Sequence, residues 1–405
     1  MSKPLDVIVF GATSFVGQIL VKHLWARHGV EGEIRWGMAG RSRTKLESVR
    51  ANLGPEAAAL PLVTADSADI PSLEALCRQA NVVVSTVGPY ALYGSELVRL
   101  CAETGTDYCD LTGEVQWISR MIRAHEATAK RTGARIVHCC GFDSIPSDLG
   151  MRFLQAQAQA KLGAPLTTVN MRVRKLAGGM SGGTVASLVN VFKELSENPS
   201  LAKDLANPYL LCTENPRVRQ DNVQRPTRDT VSPSWLAPFL MAPINTRVVL
   251  RSNELSDWAW GRSLRYDEAM MTGTGFKGLA TATALTAGLG GLAVGAAIGP
   301  VRRLLESSVL PRPGEGPSPA EQASGHFDLR FFGRSEDGRT LNARVTGERD
   351  PGYGATGRML GEAAVSLAKD VNGRPGGFWT PATLMGEALE QRLVAHAGMT
   401  FTLVD

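Results

Sequence analysis

The sequence predicts an α/β fold in which a mostly parallel sheet is joined to a second region of α+β type. Three observations support this class. Six β-branched or apolar runs alternate with helical patterns over about the first 150 residues, the order that an open parallel sheet requires. From Thr167 onward, strands instead alternate apolar and polar residues, as in a sheet with one face in water. The chain of 405 residues also exceeds one usual core, so we expect two domains.

The first predicted strand, Val7–Phe10, runs directly into a turn that contains two glycines and then into a helix. Gly11 allows a tight turn, and Gly17 lets the helix pack closely on the strand while N–H groups at the helix N-terminus face a pyrophosphate. Ser14 occupies the central position, which is usually glycine. The unit predicts a Rossmann-type doubly wound sheet that binds a dinucleotide. The predicted contacts in this turn are Gly11, Thr13, Ser14, Phe15 and Gly17.

The second and third predicted strands, Glu33–Gly40 and Ala58–Asp66, indicate which dinucleotide is bound. At the end of the second strand an acidic residue selects NAD, whereas an arginine accommodates the 2′-phosphate of NADP. This sequence has Arg41 there, followed by Ser42. We therefore predict NADPH as cofactor, with Asp66 near the adenine pocket.

The fourth predicted strand, Asn81–Tyr90, ends in a Gly-Pro pair that stops it. Ligands in doubly wound sheets lie beyond the carboxyl ends of the strands, so the segment from Thr86 to Tyr90 is expected to meet the nicotinamide. A plain Gly-Pro turn is the alternative. The sixth strand, Ala134–Cys140, opens at its end into Gly141, Phe142, Asp143 and Ser144. The predicted contacts at the end of the fourth strand are Thr86, Val87, Gly88, Pro89 and Tyr90.

The second region is expected to contain strands at Val169–Arg174, Phe327–Phe331 and Arg339–Glu348, with two helices packed on their sheet. These helices are predicted at Thr184–Ser196 and Ala355–Lys369, and long loops at Asn198–Pro243. A last helix, Pro381–Ala395, is expected to begin after Thr380 as N-cap.

A segment without charged residues runs from Gly278 to Val301, and more than half of it is glycine or alanine. Its length would just span a bilayer as a helix, but its residues are weakly apolar. Three interpretations remain open: membrane or lipid contact, a buried or dimer-forming helical hairpin, and a flexible loop.

Composition argues against several kinds of partner. The net charge of +4 is small, and no basic run suggests a nucleic-acid arm, so we expect no nucleic-acid partner. The six cysteines have neither C-x-x-C spacing nor histidine partners at zinc-ligand intervals, so we expect free thiols and no metal site. Asp6 and the first turn interrupt any signal-peptide core, which favours a cytoplasmic protein, at the inner membrane if segment 278–301 contacts lipid.

Several stretches together resemble the saccharopine dehydrogenase-like oxidoreductases, and most closely their trans-acting enoyl reductase branch, whose members reduce polyketide-derived lipid intermediates. Ser14 is a departure, since this branch usually carries glycine there. The resemblance implies a Rossmann domain over residues 1–148, a substrate and dimerisation domain over 149–377, and a C-terminal helix within 378–405 that returns to the Rossmann domain. It also implies a homodimer. The matching stretches are Gly11–Gly17, Ala39–Ser42, Thr86–Tyr90, Gly105–Glu114, Gly141–Asp148, Ser181–Thr184, Ala242–Arg247 and Arg251–Asn253.

The resemblance implies hydride transfer from NADPH to the β-carbon of an α,β-unsaturated acyl thioester, free or held by a carrier, and then protonation of the α-carbon. Tyr90 is the first candidate for the proton donor, followed by Asp143 and Ser144; packing or capping roles are their alternatives. A saccharopine-type dehydrogenase acting on an imine is a second hypothesis. That hypothesis would need a cluster of arginines to bind the carboxylates of the substrate. A third hypothesis is a non-catalytic NADP-binding protein at a membrane. The arginines available are Arg172, Arg174, Arg217, Arg219, Arg225 and Arg228.

Overall fold

The computed structural model describes residues 3–178, 182–297 and 316–405. Within them, the predicted parallel sheet is confirmed, with seven strands in the order β13-β6-β5-β4-β1-β2-β3. The switch from β1 to β4 opens a crevice at the strand carboxyl ends, as in doubly wound sheets. The strands are β1 (Leu5–Phe10), β2 (Trp36–Gly40), β3 (Leu62–Thr64), β4 (Ala80–Ser85), β5 (Asp107–Asp110), β6 (Arg135–Val137) and β13 (Gly377–Trp379).

The helices that connect these strands also follow the predicted order. The third strand is shorter than predicted, because Pro55–Ala59 forms a 3-10 turn with proline at its start. The helices are α1 (Phe15–His28), α2 (Arg43–Ala51), α3 (Ile70–Gln79), α4 (Tyr90–Tyr93), α5 (Ser95–Thr104), α6 (Val115–Thr132) and α7 (Ile145–Leu162).

The predicted α+β region is a second seven-stranded sheet of mixed direction, in the order β14-β12-β11-β7-β10-β9-β8. Its central strand β7 pairs parallel with β10 and antiparallel with β11. Its strands are β7 (Leu166–Ala177), β8 (Thr227–Arg228), β9 (Trp235–Pro238), β10 (Arg265–Gly273), β11 (His326–Ser335), β12 (Thr340–Glu348) and β14 (Met399–Val404).

Three helices of this region lie beside the cavity described below, and two of them fall in the predicted loops or next to them. The predicted helix Thr184–Ser196 is present and slightly longer, as α8 (Gly182–Glu197). It contacts two other helices, Leu201–Ala206 and Gly275–Ala297. Ser181, part of a predicted motif, lies outside the described residues. The other two are α9 (Leu201–Ala206) and α10 (Ala242–Leu255).

One helix lies on a different sheet from the one predicted. After α12 (Pro319–Ser324), the chain forms α13 (Gly354–Lys369), which contains the predicted helix Ala355–Lys369. This helix was expected to pack on the second sheet, but it packs on α1 and on strands of the parallel sheet. A methyl group added at Gly357 would lie 2.7 Å from Ile19 Cγ2, and one at Gly361 would lie 2.8 Å from His23 Cδ2. The absence of side chains there allows the two helices to approach closely.

The C-terminal residues join both sheets, and the predicted last helix is divided into two. Thr380 caps the first part with a hydrogen bond from the Thr383 N–H, as predicted. Strand β13 extends the parallel sheet and β14 the mixed sheet, although only a helix was predicted within 378–405. The two parts are α14 (Pro381–Leu384) and α15 (Gly386–His396).

The uncharged segment forms a single helix, α11 (Gly275–Ala297), so the flexible-loop interpretation is wrong for residues 278–297. Residues 298–301 lie outside the described part of the chain. The helix lies against β9, β10 and α8, and Leu285 and Val294 are exposed on its outer side. Of the helices in the described ranges, none has the length and apolar character needed to cross a membrane.

Glu362 on α13 is fully buried and joins this helix to α1. Its carboxylate accepts hydrogen bonds from His23 Nε2 at 2.7 Å and Arg27 Nε at 3.2 Å. Burial acts to raise the pKa of Glu362, but the hydrogen bond from His23 and the charges of His23 and Arg27 outweigh it, so that pKa is lowered. The ion pairs therefore stabilise the fold at neutral pH.

We expect Glu362→Gln to lower the free energy of unfolding by about 2–4 kcal/mol at pH 7, because it removes the charge that His23 and Arg27 face. Since the folded-state pKa is lowered, the difference from the unsubstituted protein should shrink as the pH falls below about 4.5. Urea titrations at pH 7 and 4 measure this. Glu47→Gln, in an exposed pair with Arg43, should cost less than about 0.5 kcal/mol. An equal loss at both pH values would contradict the interpretation.

Candidate functional site

A cavity of about 1030 Å³ lies at the carboxyl ends of β1 and β4, between the parallel sheet and helices of the second region. Its walls come from the first glycine turn, the segment after β4, the loop before α7, and α8 and α10. This is the crevice in which doubly wound sheets bind ligands. The predicted site residues that line it are Gly11, Thr13, Ser14, Phe15, Arg41, Thr86, Val87, Gly88, Pro89, Tyr90 and Asp143.

The first turn has the close backbone packing that the sequence predicts. Gly11 has φ 89°, and a methyl group there would lie 2.6 Å from Thr86 Oγ1; one at Gly17 would lie 2.2 Å from the Gly11 carbonyl oxygen. Ser14 caps α1 by accepting a hydrogen bond from the Gly17 N–H at 2.9 Å. Ser14 therefore keeps the helix N-terminus in place while the backbone of the turn faces the cavity.

The end of the cavity beside β2 carries two cations. Arg41, predicted to select NADP, lines it, and so does Lys45 of α2, which sequence reasoning missed. Ser42 was predicted to bind cofactor but lies outside the lining; it caps α2 by accepting from the Lys45 N–H. Asp66 also lies outside the lining, because its carboxylate accepts the Ala68 N–H in a local turn. Its neighbour Ser67 lines the cavity instead.

Tyr90 faces the cavity with its ring, but its hydroxyl is fully engaged with the backbone. The hydroxyl donates to the Ser85 carbonyl at 3.0 Å and accepts from the Leu111 N–H at 3.4 Å. Burial, together with the charge of Asp110, raises the pKa of this hydroxyl well above its usual range. Tyr90 is therefore poorly suited to the predicted role of proton donor, and it forms part of the cavity wall.

Glu114 ties the segment after β4 to the second region. Its carboxylate accepts from the N–H groups of Tyr90 at 2.8 Å and Ala91 at 2.9 Å, and from the Ser187 hydroxyl at 2.8 Å. Burial raises the pKa of Glu114. The short helix α4 and helix α8 are therefore both hydrogen-bonded to Glu114, which connects the parallel-sheet region to the second region.

Asp143 lines the cavity close to a contact between the two regions. A methyl group added at Gly113 would lie 3.9 Å from Asp143 Oδ2 and 2.9 Å from Ile244 Cδ1, so the carboxyl lies near Gly113 and Ile244 of α10. No described residue hydrogen-bonds to it, and burial raises its pKa to about 7. Ser144 does not line the cavity; it is buried and donates to Asn245 Oδ1 at 3.0 Å. Only Asp143 of the two presents a titratable group to the cavity.

The half of the cavity formed by the second region is lined mainly by apolar side chains. They come from α8, α9, α10 and the loop before α10, and this group was not predicted. Elements far apart in sequence contribute to it, so no local pattern reveals it. The side chains are Val191, Phe192, Leu195, Leu205, Leu240, Met241 and Ile244. We call this half the apolar arm.

The fold and this site define an NADP-dependent oxidoreductase. The parallel sheet, the tight glycine turn at a helix N-terminus and the cation after β2 fit a dinucleotide with a 2′-phosphate. Residues 7–137 match the family model for the saccharopine dehydrogenase NADP binding domain. Across the described residues, no group of side chains could hold a metal ion.

Comparisons over the full chain identify the family. A trans-acting enoyl reductase from Mycobacterium tuberculosis is 37% identical over 405 residues, 96% of each chain. A second protein of that organism, given the same activity provisionally, is 40% identical over 407 residues, 97% of this chain and 96% of its own. The structure of saccharopine dehydrogenase (L-Glu forming) from Saccharomyces cerevisiae has a similar fold, with a TM-score of 0.55 at 13% identity, over 99% of this chain and 100% of that one. The chain belongs to the saccharopine dehydrogenase-like family, in its trans-acting enoyl reductase branch.

We expect Arg41→Ala to weaken NADPH binding about 10- to 100-fold and to leave NADH binding within about twofold, because a guanidinium–phosphate hydrogen bond contributes about 1.5–3 kcal/mol. Fluorescence titration with each cofactor measures this. Arg43→Ala is the matched control, since Arg43 pairs with Glu47 and lies outside the cavity lining. Equal losses for both cofactors would show that Arg41 does not read the 2′-phosphate.

Proposed function

We propose that the protein is an enoyl reductase that reduces the carbon–carbon double bond of an α,β-unsaturated acyl thioester. When bound, NADPH supplies the hydride that is added to the β-carbon. The electron pair of the double bond then moves onto the thioester as an enolate, and a proton delivered to the α-carbon restores the carbonyl. The observation that carries the proposal is a single cavity whose lining combines the dinucleotide turn, the Asp143 carboxyl and the apolar arm.

In this proposal Asp143 holds the proton for the α-carbon. A carboxyl with a pKa of about 7 is protonated in a large fraction of molecules near neutral pH and can still release its proton. Burial raises this pKa, because an apolar surrounding favours the neutral form of a carboxyl. Tyr90 and Ser144 act as positioning residues: the Tyr90 hydroxyl holds the Ser85 carbonyl, and the Ser144 hydroxyl holds the Asn245 side chain.

The alternative of imine chemistry on a substrate with several carboxylates receives less support. That chemistry would call for a cluster of arginines in the cavity. Among the described lining residues the arginines are Arg41, at the cofactor end, and Arg247. Arg172 is instead buried between Asp229 and Asp267, away from the lining. The other arginines suggested by the sequence also lie outside the lining: Arg174, Arg217, Arg219, Arg225 and Arg228.

Oxidation of NADPH, followed at 340 nm, tests the function. We expect turnover with trans-2-dodecenoyl-CoA or with the same acyl group on an acyl carrier protein, and none with saccharopine or with lysine plus 2-oxoglutarate. Turnover with the amino-acid substrates alone would overturn the proposal. Tight NADPH binding without turnover of either class would support the non-catalytic alternative.

The predicted homodimer and the lipid contact of segment 278–301 stay predictions. Exposed Leu285 and Val294 on α11 offer an uncharged surface for either contact. Light scattering and flotation with phospholipid vesicles test the two separately.

A further inference from the structure

Two buried polar side chains in the cavity lining have atoms that no described residue hydrogen-bonds. Gln116 is 3% exposed and Arg247 is 6% exposed, and both line the cavity. Among residues 3–178, 182–297 and 316–405, none hydrogen-bonds to the Gln116 side-chain amide, on either its oxygen or its nitrogen, or to Arg247 Nε. Buried polar groups are normally satisfied, so two unsatisfied ones in one cavity call for an explanation.

The two side chains come from segments that are in contact with each other. A methyl group at Gly113, two residues before α6, would lie 2.9 Å from Ile244 Cδ1, in the first turn of α10. Gln116 follows Gly113 by three residues, and Arg247 follows Ile244 by about one turn of α10. Both side chains therefore belong to the two cavity walls that meet at this contact.

Arg247 is held in place but is not neutralised. Its Nη1 donates to the Pro243 carbonyl and its Nη2 to the Leu205 carbonyl. No carboxylate pairs with it among the described residues, and burial lowers its pKa to about 10. The other buried arginines of the described chain differ: Arg172 pairs with two aspartates, and Arg251 pairs with Glu254 and Glu126.

A buried cation without a counter-ion is costly, and so is a buried amide with all its hydrogen bonds unmade. A ligand that brings a negatively charged oxygen group would offset both costs. We infer that Gln116 and Arg247 form an anchoring site for a carboxylate or phosphate group attached to the substrate. This inference rests on the proposed function, since the ligand is the acyl substrate, and it adds a second anion-binding site apart from the one at Arg41.

Two pairs of probes that differ in the anionic group test the inference by calorimetry on the NADPH-loaded protein. Dodecanoate and dodecanol represent an anion on the lipid chain, whereas 4′-phosphopantetheine and pantetheine represent one on the carrier arm. We expect the anionic member of one pair to bind about 10- to 100-fold more tightly, the range expected for hydrogen bonds to a charged group. The pair that shows the preference identifies the source of the anion.

Variants assign the preference to these residues. Arg247→Met should abolish it while leaving the affinities for the neutral probe and NADPH unchanged, which also shows that the variant is folded. Gln116→Leu should reduce it at least about threefold. Arg262→Met removes the same charge from an exposed position outside the cavity and should preserve it. Equal binding within both pairs, or a preference that survives Arg247→Met, would overturn the inference. The readout is binding, so an absence of turnover would count against the proposed function alone.

Discussion

Asp143→Asn is expected to lower the turnover of an enoyl thioester by about 100- to 10,000-fold, the range that positioned general acids contribute. The asparagine retains the size of the side chain but has no acidic proton. NADPH binding should be unchanged, because the substitution preserves the shape of the side chain and breaks no hydrogen bond of the carboxyl among the described residues. Single-turnover measurements at 340 nm separate this chemical step from product release. Turnover within about threefold of the unsubstituted protein would exclude Asp143 as the acid.

The pH dependence gives a second, independent test of Asp143. Only the protonated carboxyl can donate, so turnover should fall as the pH rises through about 7, and the asparagine variant should lose this dependence.

The stability of the protein should also depend on the titration of Asp143. Because burial raises the folded-state pKa, the stability that Asp143 contributes is present at low pH and lost between about pH 4 and 7. The asparagine variant should therefore gain in thermal stability relative to the unsubstituted protein over that range. Asp66→Asn, outside the cavity lining, is the control and should change neither profile.

Leu195→Trp is expected to select against long acyl chains. Leu195 lines the apolar arm from α8, and it is half-buried, so a larger ring can project into the arm. Each buried methylene contributes about 0.8 kcal/mol, and blocking about four methylenes of a twelve-carbon chain would cost about 3 kcal/mol. We expect kcat/KM for a dodecenoyl thioester to fall about 100-fold. The four-carbon crotonyl thioester should change by less than about threefold.

The ratio of the two substrates is the measurement that decides this prediction. Leu195→Met preserves the volume of the side chain and should leave both values nearly unchanged. A parallel loss for short and long chains would mean that the tryptophan disturbs α8, and an unchanged ratio would mean that the acyl chain lies elsewhere.

Local patterns in the sequence were enough to predict the parallel sheet and its first turn. Strand, turn and helix follow one another between Val7 and Leu24, and their hydrophobic periods differ, so each element can be recognised from its own residues. Arg41 was placed correctly beside the cavity because the end of β2 has a fixed position in this topology. Ser42 and Asp66 are each one residue from a lining position and lie outside the lining, because local turns engage their side chains.

Contacts between distant segments could not be predicted in this way. The apolar face of Gly354–Lys369 indicates that the helix is buried, but only the close fit of Gly357 and Gly361 to α1 determines which sheet it covers. The sequence places Tyr90 before Asp143 as the candidate acid. The hydrogen bond from the Tyr90 hydroxyl to the Ser85 carbonyl, which forms only in the folded chain, distinguishes them.

The path of the chain between its two sheets restricts how the protein can be divided. After β6 the chain enters the mixed sheet, returns to the parallel sheet with α13 and β13, and ends in the mixed sheet with β14. A fragment that stops after β6 lacks the helix that covers one face of β1 and β4, so apolar strands would be exposed to water. Because the chain passes between the two sheets several times, no single cut would allow the whole second region to be exchanged for that of another protein. Under the proposed function, new substrate preferences in such a chain would therefore arise by substitutions along α8 and α10 rather than by recombination of whole domains.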